Sequence, residues 1–266
     1  MTMRFKILSS SSSGNCALLR TATTTILIDA GLTGRQIETH LAAAGVDPAS
    51  LDAIFITHEH GDHTRGLTGL TRRHRPRVFA NRDTARALAD KCKTPPQWTH
   101  FTTGETFTFR DLTVQSFTVP HDASDPVGFV FSSGEETLFS PRRRLAWVTD
   151  LGYVPTLVRE RLRDVDCLVL EANHDPELLD RCTTRPWSVK QRIKGRHGHL
   201  SNQAAMELVS ALENPRLRHV YLAHLSRDCN AVERVHAAFG GPRAYNVTVV
   251  DPSGSTCEEL DLGAWG

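Results

Sequence analysis

Three imidazoles and two carboxylates crowd into six consecutive residues, His58–Glu59–His60–Gly61–Asp62–His63, directly after an apolar segment that ends at Thr57. Packing such groups together is costly unless a cation neutralises and orders some of them. A loop leaving the end of a strand can fold back so that His58 and His60 face one ion while Asp62 and His63 face another. Strand-end loops are also where layered α/β folds place their ligands. The spacing therefore predicts a metal centre with room for two ions, against the bland alternative of a solvated polar loop.

The same device recurs. Apolar strand candidates at residues 114–119, 146–149, 167–170 and 220–223 lead into His121, Asp150, Glu171 and His224. Singly, His121 reads as a loop histidine and Asp150 as a helix N-cap. Together with the first motif they supply its missing ligands. Further strand candidates lie at residues 5–8, 17–19, 25–28, 53–57, 78–80, 107–109, 127–131 and 246–250. Helix candidates interleave at 36–44, 84–91, 154–162, 202–212 and 230–239, with Asn81 and Ser201 placed as N-caps. The serine run at 9–13, followed by Gly14 and Asn15, reads as a tight turn. Alternating strands and helices mean an α/β layered domain, and without a linker or composition shift residues 1–266 read as one domain.

A net charge of +1 excludes a wholesale polycation, so contact with a polyanion must come from local clusters. The strongest is residues 185–199, with Arg185, Lys190, Arg192, Lys194 and Arg196 and no acidic residue from Thr183 through Met206. Within it, Lys190, Arg192, Lys194 and Arg196 are expected to bind substrate phosphates. Ser201 joins them, because free amides at a helix N-terminus attract anions. Arg72, Arg73, Arg75 and Arg77, and Arg142, Arg143 and Arg144, form two more clusters, read equally well as guides or as solubilising charge. Trp98 and Trp187 are expected to be buried rather than to stack on bases.

None of the six cysteines forms a Cys-x-x-Cys pair, which disfavours a zinc knuckle and fits free thiols in a reducing cytosol. No run approaches ~18 apolar residues, and residues 1–8 are too short for a signal-peptide core. A cytoplasmic protein without membrane contact is expected, and a homo-oligomer is compatible with the chain.

In order and type, the run from His58 to His63 followed by His121, Asp150 and His224 resembles the five-part ligand signature of metallo-β-lactamase-fold hydrolases. Ser11–Ser12–Ser13–Gly14–Asn15–Cys16, Ile28–Asp29–Ala30–Gly31, Thr149–Asp150–Leu151–Gly152, Glu171–Ala172–Asn173–His174–Asp175 and His197–Gly198–His199–Leu200–Ser201–Asn202 narrow the resemblance to the YycJ (WalJ) nuclease branch, over nearly the full length. The resemblance implies a four-layer αβ/βα sandwich of two mixed sheets with the metals at its mouth. It implies that His58, His60 and His121 hold one ion, that Asp62, His63 and His224 hold the other, and that Asp150 bridges them. Such a pair, about 3.5–4 Å apart, shares a hydroxide that attacks phosphorus. His199, oriented by Glu171, is expected to protonate the departing sugar oxygen, by analogy with the superfamily's RNA-processing nucleases. With the ligand Asp62 these two make the expected catalytic set. Asp29 and Asn15 are expected to support the ligands.

An all-nitrogen-and-oxygen donor set suits manganese or zinc. The expected activity is that of a metal-dependent DNA exonuclease of 5′→3′ polarity, with DNA favoured over RNA on the resemblance alone. An RNA nuclease, a small-molecule phosphodiesterase or thioester hydrolase, and a non-catalytic nucleic-acid-binding protein are the alternatives. The basic clusters argue against a neutral substrate. The stretch 132–144 is longer and more basic than the family pattern, and the interval from Asp150 to His199 is too short for the inserted clamp domain of some RNA-cleaving relatives.

Overall fold

The computed structural model describes residues 3–92, 95–137, 142–254 and 256–265. Part of the basic stretch 132–144, residues 138–141, lies outside the described residues. The strands are β1 (Arg4–Ser9), β2 (Cys16–Arg20), β3 (Thr25–Ile28), β4 (Ala53–Phe55), β5 (Arg77–Asn81), β6 (Gln97–Phe101), β7 (Thr106–Phe109), β8 (Leu112–Thr118), β9 (Val127–Ser133), β10 (Arg143–Val148), β11 (Cys167–Glu171), β12 (His219–Ala223), β13 (Asn246–Val249) and β14 (Leu260–Asp261). The helices are α1 (Gly34–Ala43), α2 (Gly61–Thr64), α3 (Leu67–His74), α4 (Arg82–Ala89), α5 (Thr156–Leu162), α6 (Pro176–Arg181), α7 (Trp187–Lys194), α8 (Asn202–Ala211) and α9 (Val232–Ala238).

Two seven-stranded mixed sheets result, ordered β14-β1-β2-β3-β4-β5-β6 and β13-β12-β11-β10-β9-β8-β7. In the first, β3 to β6 run parallel; in the second, β10 to β13 do. Side chains alternate across each strand. Leu145 and Trp147 of β10 join Phe55, Phe79, Phe129 and Phe131 between the sheets, while Ala146 and Val148 face α5, α8 and α9. On the outer face of the first sheet, Ile54 and Val78 pack on Ile37, Leu67 and Leu88 of α1, α3 and α4. Strands buried on both faces read as continuous apolar runs, as in β11. The helix–sheet–sheet–helix layering is the one expected.

The caps form as their residue types require: Asn81 Oδ1 accepts from the Thr84 amide and the Ser201 hydroxyl accepts from Ala204. Strand β4 stops at Phe55, short of Thr57, because the Thr57 amide turns to the Asp29 carboxylate instead of a neighbouring strand. Strands β6 and β14 were not foreseen. The first is a half-exposed edge strand behind Pro95–Pro96, and the second is two residues long. Helices α3 and α7 also escape prediction. Helix α3 is a short segment that buries only Leu67, Leu70 and Thr71, and α7 buries only Ile193. Among the described residues no helix is long and apolar enough to cross a membrane.

Candidate metal centre

The ends of strands from both sheets meet at one edge of the sandwich. His58 and His60 leave β4, Asp62 and His63 start α2, His121 follows β8, Asp150 follows β10 and His224 follows β12. Asp29, Asp150 and His224, all just past a strand end, adopt the left-handed backbone region with φ of 59°, 60° and 56°. Such strain costs on the order of 1–3 kcal/mol per residue and persists only where the surroundings impose it. Gly31 permits the close fit of the motif: a Cβ there would lie 1.6 Å from the Asp62 carbonyl oxygen.

The ligand atoms of His58, His60 and His121 lie within 4.8 Å of one another, as do those of Asp62, His63 and His224, and those of His58, His63 and Asp150. His60 Nδ1 is 3.3 Å from His121 Nε2. His224 Nε2 is 3.5 Å from Asp62 Oδ2 and 3.3 Å from Asp150 Oδ1, while His63 Nε2 is 3.1 Å from Asp150 Oδ2. A tetrahedral site with arms of about 2.1 Å has ligand-to-ligand edges of about 3.4 Å, so these separations match the edges of coordination polyhedra. The buried His58 Nε2 and His224 Nε2 have no hydrogen-bond partner. Buried polar atoms are rarely left so, and a divalent cation beside each would satisfy them.

The rings are oriented from behind. His63 Nδ1 is 2.8 Å from Asp29 Oδ2 and His121 Nδ1 is 3.1 Å from the Gly198 carbonyl, so each can donate from Nδ1 and turn a bare Nε2 inward. The Thr57 hydroxyl bonds Asp29 and lies 3.0 Å from His58 Nδ1, which gives His58 the same tautomer. Replacing Asp29 with alanine is expected to weaken metal affinity 10- to 100-fold while leaving every donor in place, measured by chelator competition.

Burial lowers the pKa of His58 and His121, which keeps both neutral and ready to ligate. Burial also opposes charge on His63 and His224. There the carboxylates outweigh it, chiefly Asp150 for both, raising His63 well above its ordinary value and His224 to about 10. Despite burial, the same imidazoles hold the Asp62 and Asp150 carboxyls below the ordinary range.

Glu171, at the end of β11, is fully buried and accepts from Leu151 N at 2.9 Å and from His199 Nδ1 at 2.7 Å. Burial disfavours the His199 cation, but the Glu171 charge prevails and raises its pKa. His199 lines the cleft above the cluster with His60, His121, Asp150 and His224.

The basic run divides. Arg192 lines the cleft and pairs with Asp122 at 3.1 Å, and Arg185, which was not among the expected substrate contacts, lines it too. Lys190 and Lys194 do not: both bind Asp180 on α6. Arg196 lies over the Tyr153 ring, and the Ser201 hydroxyl is used to cap α8. Trp187, expected in the core, is 68% exposed. Arg143 and Arg144 bind Asp166 and Asp164, at the end of β10 away from Asp150. The Glu59 carboxylate turns out of the cluster to hold the Ser124 amide at 2.8 Å, bracing the His121 loop.

A family model for the beta-lactamase superfamily domain matches residues 24–225. The chain is 34% identical over 263 residues to an exodeoxyribonuclease YycJ of Bacillus anthracis, covering 95% of this chain and 97% of that protein. It is 37% identical over 237 residues to an exodeoxyribonuclease WalJ of Streptococcus pneumoniae, covering 88% and 85%. Among solved structures, the metallo-beta-lactamase fold protein YhfI from Bacillus subtilis superposes with a TM-score of 0.74 at 15% identity, covering 96% of this chain and 99% of that one. A diphosphatase of the PhnP family superposes with a TM-score of 0.69 at 21% identity, covering 99% of each. With its ligand signature assembled on this fold, the chain belongs to the metallo-β-lactamase superfamily and, within it, to the YycJ/WalJ group.

Proposed function

We propose that this chain is a metal-dependent 5′→3′ exodeoxyribonuclease, working as one domain in the cytoplasm. The observation that carries the reading is the His199–Glu171 pair, 2.7 Å apart, at the mouth of a seven-ligand cluster whose cleft is lined by Arg185 and Arg192. Simple metal storage has no use for a half-buried, carboxylate-backed imidazole facing the same cleft. The preference for DNA follows the names of the curated relatives, and free thiols suit a reducing compartment.

In this reading His58, His60 and His121 would hold one divalent cation and Asp62, His63 and His224 a second, with Asp150 as a further ligand. When bound, manganese or zinc ions would supply Lewis-acid stabilisation of the phosphate and a water of lowered pKa. Arg185 and Arg192 draw the phosphodiester into the cleft by charge. Glu171 holds Nδ1 of His199, which leaves Nε2 to deliver a proton to the departing sugar oxygen.

End-labelled DNA tests this. A strand labelled at its 5′ end is expected to release labelled mononucleotide first, in the presence of manganese or zinc, and to stay intact after chelation until metal is restored. First release from a 3′ label overturns the polarity, and faster cleavage of RNA overturns the substrate. A metal-loaded protein that cuts neither overturns the reading.

A further inference from the structure

We propose that the groove between the His121 loop and the start of α5 is a nucleoside subsite, in which a base next to the scissile phosphate packs against Tyr153. The proposal rests on the nuclease reading and names how that site takes its substrate. His121 lines both spaces, so a strand whose phosphate sits in the metal cleft runs directly beside the groove. The two spaces differ in size and chemistry. The cleft, about 190 Å³, is walled mainly by polar side chains; the groove, about 420 Å³, has an apolar wall of Val119, Pro120, Pro126, Tyr153, Pro155 and Leu157 and a polar one that includes Ser124, Asp125 and His197. A phosphate suits the first and an unstacked base the second.

Among the described residues the exposed large hydrophobics are Tyr153, Leu157 and Trp187, and two of the three meet in this groove. Trp187 lies on the face of α7 opposite Val189, Arg192 and Ile193, which line the cleft. The Arg196 guanidinium lies 4.4 Å from the Tyr153 ring centroid. It holds the ring in place and brings positive charge to the groove edge, where a backbone phosphate would pass. The walls are preformed, which lowers the ordering cost of binding. Gly152 donates to the Pro120 carbonyl at 3.0 Å, and a Cβ on Gly152 would lie 2.5 Å from the Arg196 carbonyl, so these segments meet backbone to backbone. A base reaches Tyr153 only by leaving the duplex stack, so single-stranded or frayed ends are the favoured substrates.

The test measures kcat and KM for wild type, Tyr153→Ala and Tyr153→Phe on oligonucleotides carrying a normal or an abasic nucleotide at either position flanking the scissile bond. Tyr153→Ala is expected to raise KM about ten-fold with metal content unchanged, and Tyr153→Phe to restore it. At one of the two positions an abasic nucleotide is expected to raise the wild-type KM by a similar factor and to erase the difference between wild type and Tyr153→Ala. An unchanged KM in Tyr153→Ala, or a penalty that persists in full on both abasic substrates, overturns the subsite while leaving the nuclease reading intact. A wild type that cuts no DNA overturns both.

Discussion

Asp150→Asn is expected to lower DNA turnover by on the order of 10³-fold, the scale seen when one preorganised charge-stabilising group is lost. Its two carboxylate oxygens face four imidazoles: His63 at 3.1 Å, His224 at 3.3 Å, His199 at 3.6 Å and His121 at 3.7 Å. Asparagine keeps the shape and tolerates the left-handed backbone at this position. It removes the negative charge and replaces one oxygen with a donor. A cation-binding site would lose an anionic ligand, so metal content is expected to fall along with activity. Circular dichroism separates this from unfolding. A folded Asp150→Asn protein within about ten-fold of wild-type activity contradicts the assignment.

The second large effect is expected at His199. His199→Ala should lower kcat on DNA by about 10²–10⁴-fold, the usual contribution of a positioned acid or base, with KM and metal content little changed. A substrate whose leaving group departs without a proton discriminates the role. Turnover of bis(4-nitrophenyl) phosphate is expected to fall far less than turnover of DNA, because 4-nitrophenolate is a stable anion. Equal losses on both substrates contradict proton delivery by His199. Glu171 is a poorer probe: its Oε1 also lies 3.4 Å from His224 Nδ1 and its Oε2 holds the Leu151 amide, so its loss disturbs the metal cluster as well.

Legibility in the sequence followed covalent adjacency. His58, His121, Asp150, Glu171 and His224 each stand at or just past the end of an apolar run, and once such runs pair into sheets the residues behind them have little choice of position. The layers were legible for the same reason, since buried parallel strands announce themselves as unbroken apolar segments. The substrate face was not. Which way Arg192, Lys190 and Lys194 point depends on which side of α7 is buried, and a helix with one buried residue, Ile193, has no stripe to read. Ser201 shows a related limit: one hydroxyl can serve as helix cap or as phosphate donor, and the local amides claimed it. Tyr153 has no local signal at all, because its groove is made by backbone packing of Gly152 against Arg196.

Metal analysis tests the central claim most directly. Wild-type protein loaded with manganese or zinc, dialysed to remove loose ions and measured by plasma mass spectrometry, is expected to hold two equivalents per chain, and Asp150→Asn fewer. A wild type that retains less than one equivalent, or an Asp150→Asn protein that retains as much as wild type, contradicts the account.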